Sequence, residues 1–152
     1  MNNQDNKPSQ TANHNFLLTI EETPSLNWQR IVDVSQNDKT QMERVVGEFV
    51  QLVETNHRTQ HSPKFYADKL SMTESNLRKI CQQEIGFPPS HCIYARLMLE
   101  ACVTLKYPKS IKEIAFELGF ESPKYFGKFF KKYSGLPPDS YRKYILKPKR
   151  LF

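Results

Sequence analysis

The sequence predicts an all-α fold from residue 40 onward, on three observations. Apolar residues recur at i, i+3, i+4 and i+7, the period of a helix with one buried face. No segment after Ser62 alternates steadily between apolar and polar residues, so no strand is expected there. Every junction carries a residue that starts or stops a helix: Ser or Thr to accept from free amides, Pro to preset φ, Gly to make a left-handed turn.

Residues 1–39 are polar apart from Phe16-Leu17-Leu18-Thr19-Ile20 and a cluster of Trp28, Ile31, Val32 and Val34. A remnant strand, a strap on the domain and a disordered tail all fit that pattern. Thr40-Gln41-Met42-Glu43 has the spacing at which a Thr hydroxyl and a Glu carboxylate cap the first amides reciprocally. Met42, Val45, Val46, Phe49, Leu52 and Val53 follow at helical spacing until Thr55-Asn56-His57 ends the helix. Ser62-Pro63 opens a helix to about Leu70, Thr73 one to about Ile85, and Pro89 or Ser90 a longer one to about Lys106, broken by Tyr107-Pro108. Ser110 opens the next as far as Leu118, Gly119 turns the chain, Ser122-Pro123 opens another to about Tyr133, and Pro137-Pro138 starts the last. The domain is expected over residues 40–146, with a basic tail over 147–152 that is a frayed end, a DNA-backbone contact or a localisation signal.

The 152 residues, 38% hydrophobic and 25% charged, suit one core plus some tail. Charge divides unevenly: residues 1–60 hold 5 Lys+Arg against 8 Asp+Glu, and residues 61–152 hold 17 against 8. The C-terminal part is therefore the basic object, suited to nucleic acid or an acidic membrane surface. Cys81, Cys92 and Cys102 are odd in number and form no CxxC pair, which argues against a disulfide framework or a zinc ribbon. Cys81 and Cys102 read as small core residues. No apolar run approaches the roughly 18 residues of a membrane span, and MNNQDNKPSQTANHN is no signal peptide, so a soluble cytoplasmic protein is expected. His57 and His61 have the spacing of two imidazoles on one helix face, but no carboxylate or thiolate set accompanies them. No metal or other cofactor is expected. Without a Ser/His/Asp set, paired carboxylates or a phosphate loop, there is no candidate catalytic residue, and the chain does not read as an enzyme.

The stretch GFESPKYFGKFFKKYSG, from Gly119 to Gly135, interleaves six aromatic rings with four lysines. With Ser122 as N-cap, Phe126, Phe129, Phe130 and Tyr133 form one stripe. Lys124, Lys128 and Lys131 cluster opposite, with Lys132 and Tyr125 on one flank and Gly127 on the other, where a small residue allows close approach. The same pattern occurs earlier. At an offset of 49, Leu77 falls on Phe126, Ile80 on Phe129, Cys81 on Phe130, Gly86 on Gly135, and Pro88-Pro89 on Pro137-Pro138. At an offset of 48, Ala67 matches Ala115, Leu70 Leu118, Ser71 Gly119 and Met72 Phe120. One helix-turn-helix unit is present twice.

Outward positions of the first copy are Ser75, Asn76, Arg78, Lys79 and Gln82. A helix fits the major groove, where Arg can bond bidentately to guanine, Asn and Gln to adenine, and Lys to guanine or phosphate. The candidate DNA-binding set is those five together with Lys124, Tyr125, Gly127, Lys128 and Lys131. The intervening helix, roughly 25 Å long at 1.5 Å per residue, suits two outward helices about 34 Å apart, one DNA turn. Arg96 on that helix has two readings, a phosphate contact and a tie between the subdomains. Tyr141 is expected to pack under the second outward helix.

IKEIAFELGFESPKYFGKFFKKYSGLPPDSYRK (Ile111–Lys143), with YADKLSMTESNLRKI upstream and Arg96, Ala101 and Leu105 between, resembles the DNA-binding region of the AraC/XylS family of bacterial transcription regulators. The resemblance covers about residues 40–146. It implies a seven-helix domain of two helix-turn-helix subdomains joined by a long helix, binding double-stranded promoter DNA and commonly contacting RNA polymerase. It places the base-reading helices on Thr73–Gln83 and Ser122–Lys132. The first copy departs from the pattern, with Ser71-Met72 where Gly-Phe stands in the second and Cys92 in place of Tyr141, which predicts looser packing. Many members carry a large N-terminal domain for an effector or for pairing, and about 40 residues are too few for one. Such functions then lie elsewhere or the DNA-binding part acts alone. Two other classes fit the basic helices: a protein-interaction module that titrates another regulator without touching DNA, and a membrane-surface bundle, which ranks last.

Overall fold

The computed structural model describes residues 28–35 and 40–148. These residues form eight helices and no strand: α1 (Trp28–Ser35), α2 (Gln41–Asn56), α3 (Pro63–Lys69), α4 (Glu74–Glu84), α5 (Pro89–Thr104), α6 (Ile111–Glu117), α7 (Pro123–Ser134) and α8 (Pro138–Ile145). The helices from α2 to α8 stand where the punctuation places them. Thr40 closes its reciprocal cap, its Oγ1 accepting from Glu43 N at 3.1 Å while its own N donates to Glu43 Oε2 at 2.7 Å. Ser110 and Glu113 repeat that cap on α6.

The N-terminal segment contributes a helix that periodicity did not specify. Trp28 and Ile31 of α1 are buried in the shared core, and Trp28 Nε1 donates to Glu54 of α2. The Phe16–Ile20 run and residues 149–152 lie outside the described residues. On α2 the buried stripe is Val46, Phe49, Val50 and Val53. Met42, expected on that face, is 44% exposed because it sits in the first turn, where the stripe runs off the end of the core.

Both copies of the repeat close in the same way. After α3, Met72 N donates to Ala67 O at 3.0 Å; after α6, Phe120 N donates to Ala115 O at 2.9 Å. The residue at the bend is left-handed in each, Ser71 at φ 55° and Gly119 at φ 77°. Serine accepts this conformation at a modest cost in backbone strain. Beneath the second helix of each unit, Phe130 meets Tyr141 of α8 at 5.1 Å in the second copy. In the first copy Cys81 and Cys92 hold the equivalent places, and both are fully buried. Burial lifts the Cys92 thiol to about 12 and Cys81 higher still, so both stay protonated as small apolar fillers.

The central helix α5 buries residues around most of its circumference, among them Ile93, Leu97, Met98 and Ala101. Sixteen residues make it about 24 Å long. Arg142 of α8 locks its C-terminal end, donating from Nε to Leu105 O at 3.1 Å and from Nη2 to Lys109 O at 2.6 Å. Carbonyls at a helix C-terminus have no intrahelical donor, so a guanidinium there satisfies them and ties α8 to α5.

Candidate nucleic-acid interface

Each candidate reading helix starts from a side-chain cap and is pinned by its apolar stripe. Thr73 Oγ1 accepts from Asn76 N at 3.1 Å, and Ser122 Oγ from Tyr125 N at 3.2 Å. Leu77 and Cys81 anchor α4, Phe126 and Phe130 anchor α7, and all four are fully buried. Ile80 and Phe129, one turn along in their respective units, are half-buried. The opposite faces lie open. Ser75, Asn76, Arg78, Lys79 and Gln82 are exposed on α4, as are Lys124, Tyr125, Lys128 and Lys131 on α7. Gly127 is half-buried, and a Cβ built on it meets no atom within 4 Å, so the protein's own packing does not demand glycine there.

The cations on these faces are unpaired. Among the described residues, none of Arg78, Lys79, Lys124, Lys128 and Lys131 forms an ion pair, whereas Lys64 is paired with Asp68 at 2.9 Å and Lys109 with Glu117 at 2.7 Å. No acidic residue occurs in α7. Unpaired lysines concentrated on one face raise the local potential and favour a polyanion.

Arg96 lies elsewhere in the network. Its Nε donates to Glu54 Oε2 and its Nη1 to Glu100 Oε2, both at 3.0 Å, so it ties α5 to α2. Arg58 also donates to Glu100, and His57 Nε2 stands 3.6 Å from the same carboxylate. Burial alone would raise the pKa of Glu100, but the hydrogen bonds and charges of Arg96 and Arg58 outweigh it and hold the carboxyl below its usual range.

The two histidines do not share a helix face, because α2 ends at Asn56. The His57 ring is buried with Nδ1 3.0 Å from the carbonyl oxygens of Val53 and Glu54, while His61 lies against Phe120 at 5.0 Å. No group of three or more metal-ligating side chains occurs among the described residues, and no described helix is long and apolar enough to cross a membrane.

Periodicity misses one contact that positions α7. Gly119 presses on the loop after α2: a Cβ there would fall far inside van der Waals distance of the Arg58 carbonyl oxygen, 3.1 Å from its carbon and 3.2 Å from His61 Nε2. The sequence marks Gly119 as a turn; its second duty, close backbone approach between the units, leaves no local signal.

Two anchored, outward-facing second helices define a helix-turn-helix protein. A family model described as a helix-turn-helix domain matches residues 66–144. A transcriptional regulatory protein YesN of Bacillus subtilis is 39% identical over 80 residues, covering 50% of this chain and 22% of that protein. A helix-turn-helix-type transcriptional regulator of Haemophilus influenzae is 35% identical over 80 residues, covering 52% and 27%. The C-terminal domain of the two-component response regulator YesN from Fusobacterium nucleatum superposes with a TM-score of 0.59 at 26% identity, covering 62% of this chain and 93% of that domain. The chain thus spans about a quarter of the length of the curated relatives it matches. It belongs to the AraC/XylS family of helix-turn-helix transcription regulators.

Proposed function

We propose that residues 40–146 form a sequence-specific double-stranded DNA-binding domain that regulates transcription, with α4 and α7 in successive major-groove segments. The observation that carries this reading is the doubling itself: two equivalent helices, each fixed by a buried stripe, each presenting an open polar face whose cations have no carboxylate partner among the described residues. On α4, Arg78 reads guanine, Asn76 and Gln82 read adenine, and Ser75 and Lys79 contact the backbone or base edges. On α7, Lys124, Lys128 and Lys131 grip phosphates, Tyr125 lies against the sugar-phosphate surface, and Gly127 admits it closely. Arg96, held by two carboxylates, acts as a brace of α5 on α2 and not as a phosphate ligand. The helix α1 is a strap on this domain. Promoter DNA is the primary partner, and RNA polymerase is a second.

Fluorescence anisotropy of a labelled duplex against rising salt tests the reading. The three phosphate contacts of α7 alone give a slope of about −2.7 in log K against log salt, so a fourfold rise in salt weakens binding at least about 40-fold. A chain that titrates another regulator instead binds no duplex even at low salt, and that outcome refutes the proposal.

A further inference from the structure

A cleft of about 240 Å³ opens between the loop after α2, the central helix and the second helix-turn-helix unit. Its walls come from the loop before α3 (His61), the central helix (Tyr94), the turn of the second unit (Phe120) and α7 (Phe129, Lys132, Tyr133). The five rings form a near-continuous lining: His61 to Phe120 at 5.0 Å, Phe120 to Phe129 at 5.1 Å, Phe129 to Tyr133 at 5.0 Å, and Tyr94 to Phe129 at 5.6 Å. All five are half-buried, so aromatic surface that neighbouring side chains leave uncovered converges on one space.

Three properties of that space specify a ligand. A cavity of about 150 Å³ already admits benzene, so this one has room for a single ring with substituents. The ring-rich wall offers offset and edge-to-face contacts to another aromatic ring. Among the described residues, no carboxylate lines the cleft. Lys132 does, its Nζ 5.4 Å from the Tyr133 ring centroid and paired with no acidic side chain among the described residues.

We propose that this cleft is a binding site for a small aromatic carboxylate, its ring held among the aromatic walls and its carboxylate at Lys132. Because the walls join the loop after α2 and the central helix to α7, an occupant biases how α7 sits on the rest of the domain, and by linkage its binding and that of DNA alter one another by the same factor. That consequence rests on the DNA-binding reading; the site itself does not.

Benzoate titrated into the ¹⁵N-labelled full chain, without DNA, tests the site. The expected result is saturable shifts at the amides of Phe120, Phe129, Lys132 and Tyr133 with a Kd below about 1 mM. Neutral benzamide should bind at least about tenfold more weakly, and Lys132→Met should reduce benzoate to the benzamide level. Absence of saturation up to about 10 mM benzoate, benzamide binding as well as benzoate, or an unchanged Kd in the variant overturns the proposal. In a second arm, a duplex whose affinity is the same with and without saturating benzoate removes the coupling. Failure of every duplex to bind strikes the DNA-binding reading and leaves the cleft to be judged by the titration.

Discussion

Replacing Gly119 by Ala separates the contact between the two units from the ordinary cost of a left-handed residue. Gly86 supplies the control, since it too is left-handed, at φ 84°, but has nothing within 4 Å of a built Cβ. At Gly86 an alanine incurs only the left-handed penalty, about 1–2 kcal/mol. At Gly119, with φ 77°, the same penalty applies, and the new methyl also collides with the Arg58 carbonyl. Restoring ordinary contact means moving one backbone segment by on the order of 1 Å, and overpacking of that kind costs about 1–3 kcal/mol. Alanine's smaller unfolded-state entropy stabilises both variants alike and cancels in the difference. Urea unfolding followed by far-ultraviolet circular dichroism should therefore find Gly119→Ala destabilised by about 2–5 kcal/mol and Gly86→Ala by about 1–2. Equal losses in the two variants would mean that the loop after α2 does not bear on the second unit, and the reasoning about how α7 is positioned would fail.

Arg78→Ala should relax preference at one base pair at a cost of about 1–3 kcal/mol in affinity, measured by anisotropy on a panel of single-base variants; untouched affinity and preference remove α4 from the readers. Lys131→Ala should weaken all sequences nearly alike and flatten the salt slope by about 1, and an unchanged slope takes it off the phosphate list. Burial lowers the pKa of His61 below 6.5, against the opposing influence of the Leu118 and His57 carbonyls. Between the folded and unfolded values the unfolded chain then binds more protons. Stability from this group is fully present above 6.5 and is lost as pH falls through the folded value. His61→Gln should accordingly lessen the drop in urea midpoint between about pH 7.5 and about pH 5.5; an identical drop in the variant contradicts it. The Glu100 contribution, with its carboxyl held low, is lost only below about 4.5 and stays out of that window. Phe126→Ala, which empties a fully buried site, should cost about 3–5 kcal/mol in the same unfolding assay.

Local chemistry was the legible part of this chain. The caps at Thr40, Thr73, Ser110 and Ser122, the prolines at Pro63, Pro89, Pro123 and Pro138, and the bends at Gly86, Gly119 and Gly135 act within a turn of themselves, so their spacing reports them directly. The repeat reinforced them, because matching Leu77 to Phe126 and Cys81 to Phe130 marks one face in both copies, and all four side chains are fully buried. What the pattern missed depends on partners far along the chain. Arg96 meets Glu54 across 42 positions, and Arg142 meets Leu105 across 37 and Lys109 across 33. Periodicity cannot choose a partner at that range, so the sequence alone allows Arg96 both roles. The helix Trp28–Ser35 escaped for a related reason: its burial depends on α2 and α5 being present to cover it. The first copy meets its departures from the pattern locally: Ser71 adopts the left-handed bend, and Cys92 is fully buried.

Selection of the full chain against a random duplex library probes most directly whether both copies engage one DNA. Two short conserved elements, their centres separated by about 10 base pairs, are the predicted outcome, with Arg78→Ala degrading one element and sparing the other. Enrichment of a single element, or of two at freely varying separation, would contradict the pairing of α4 and α7 on one duplex.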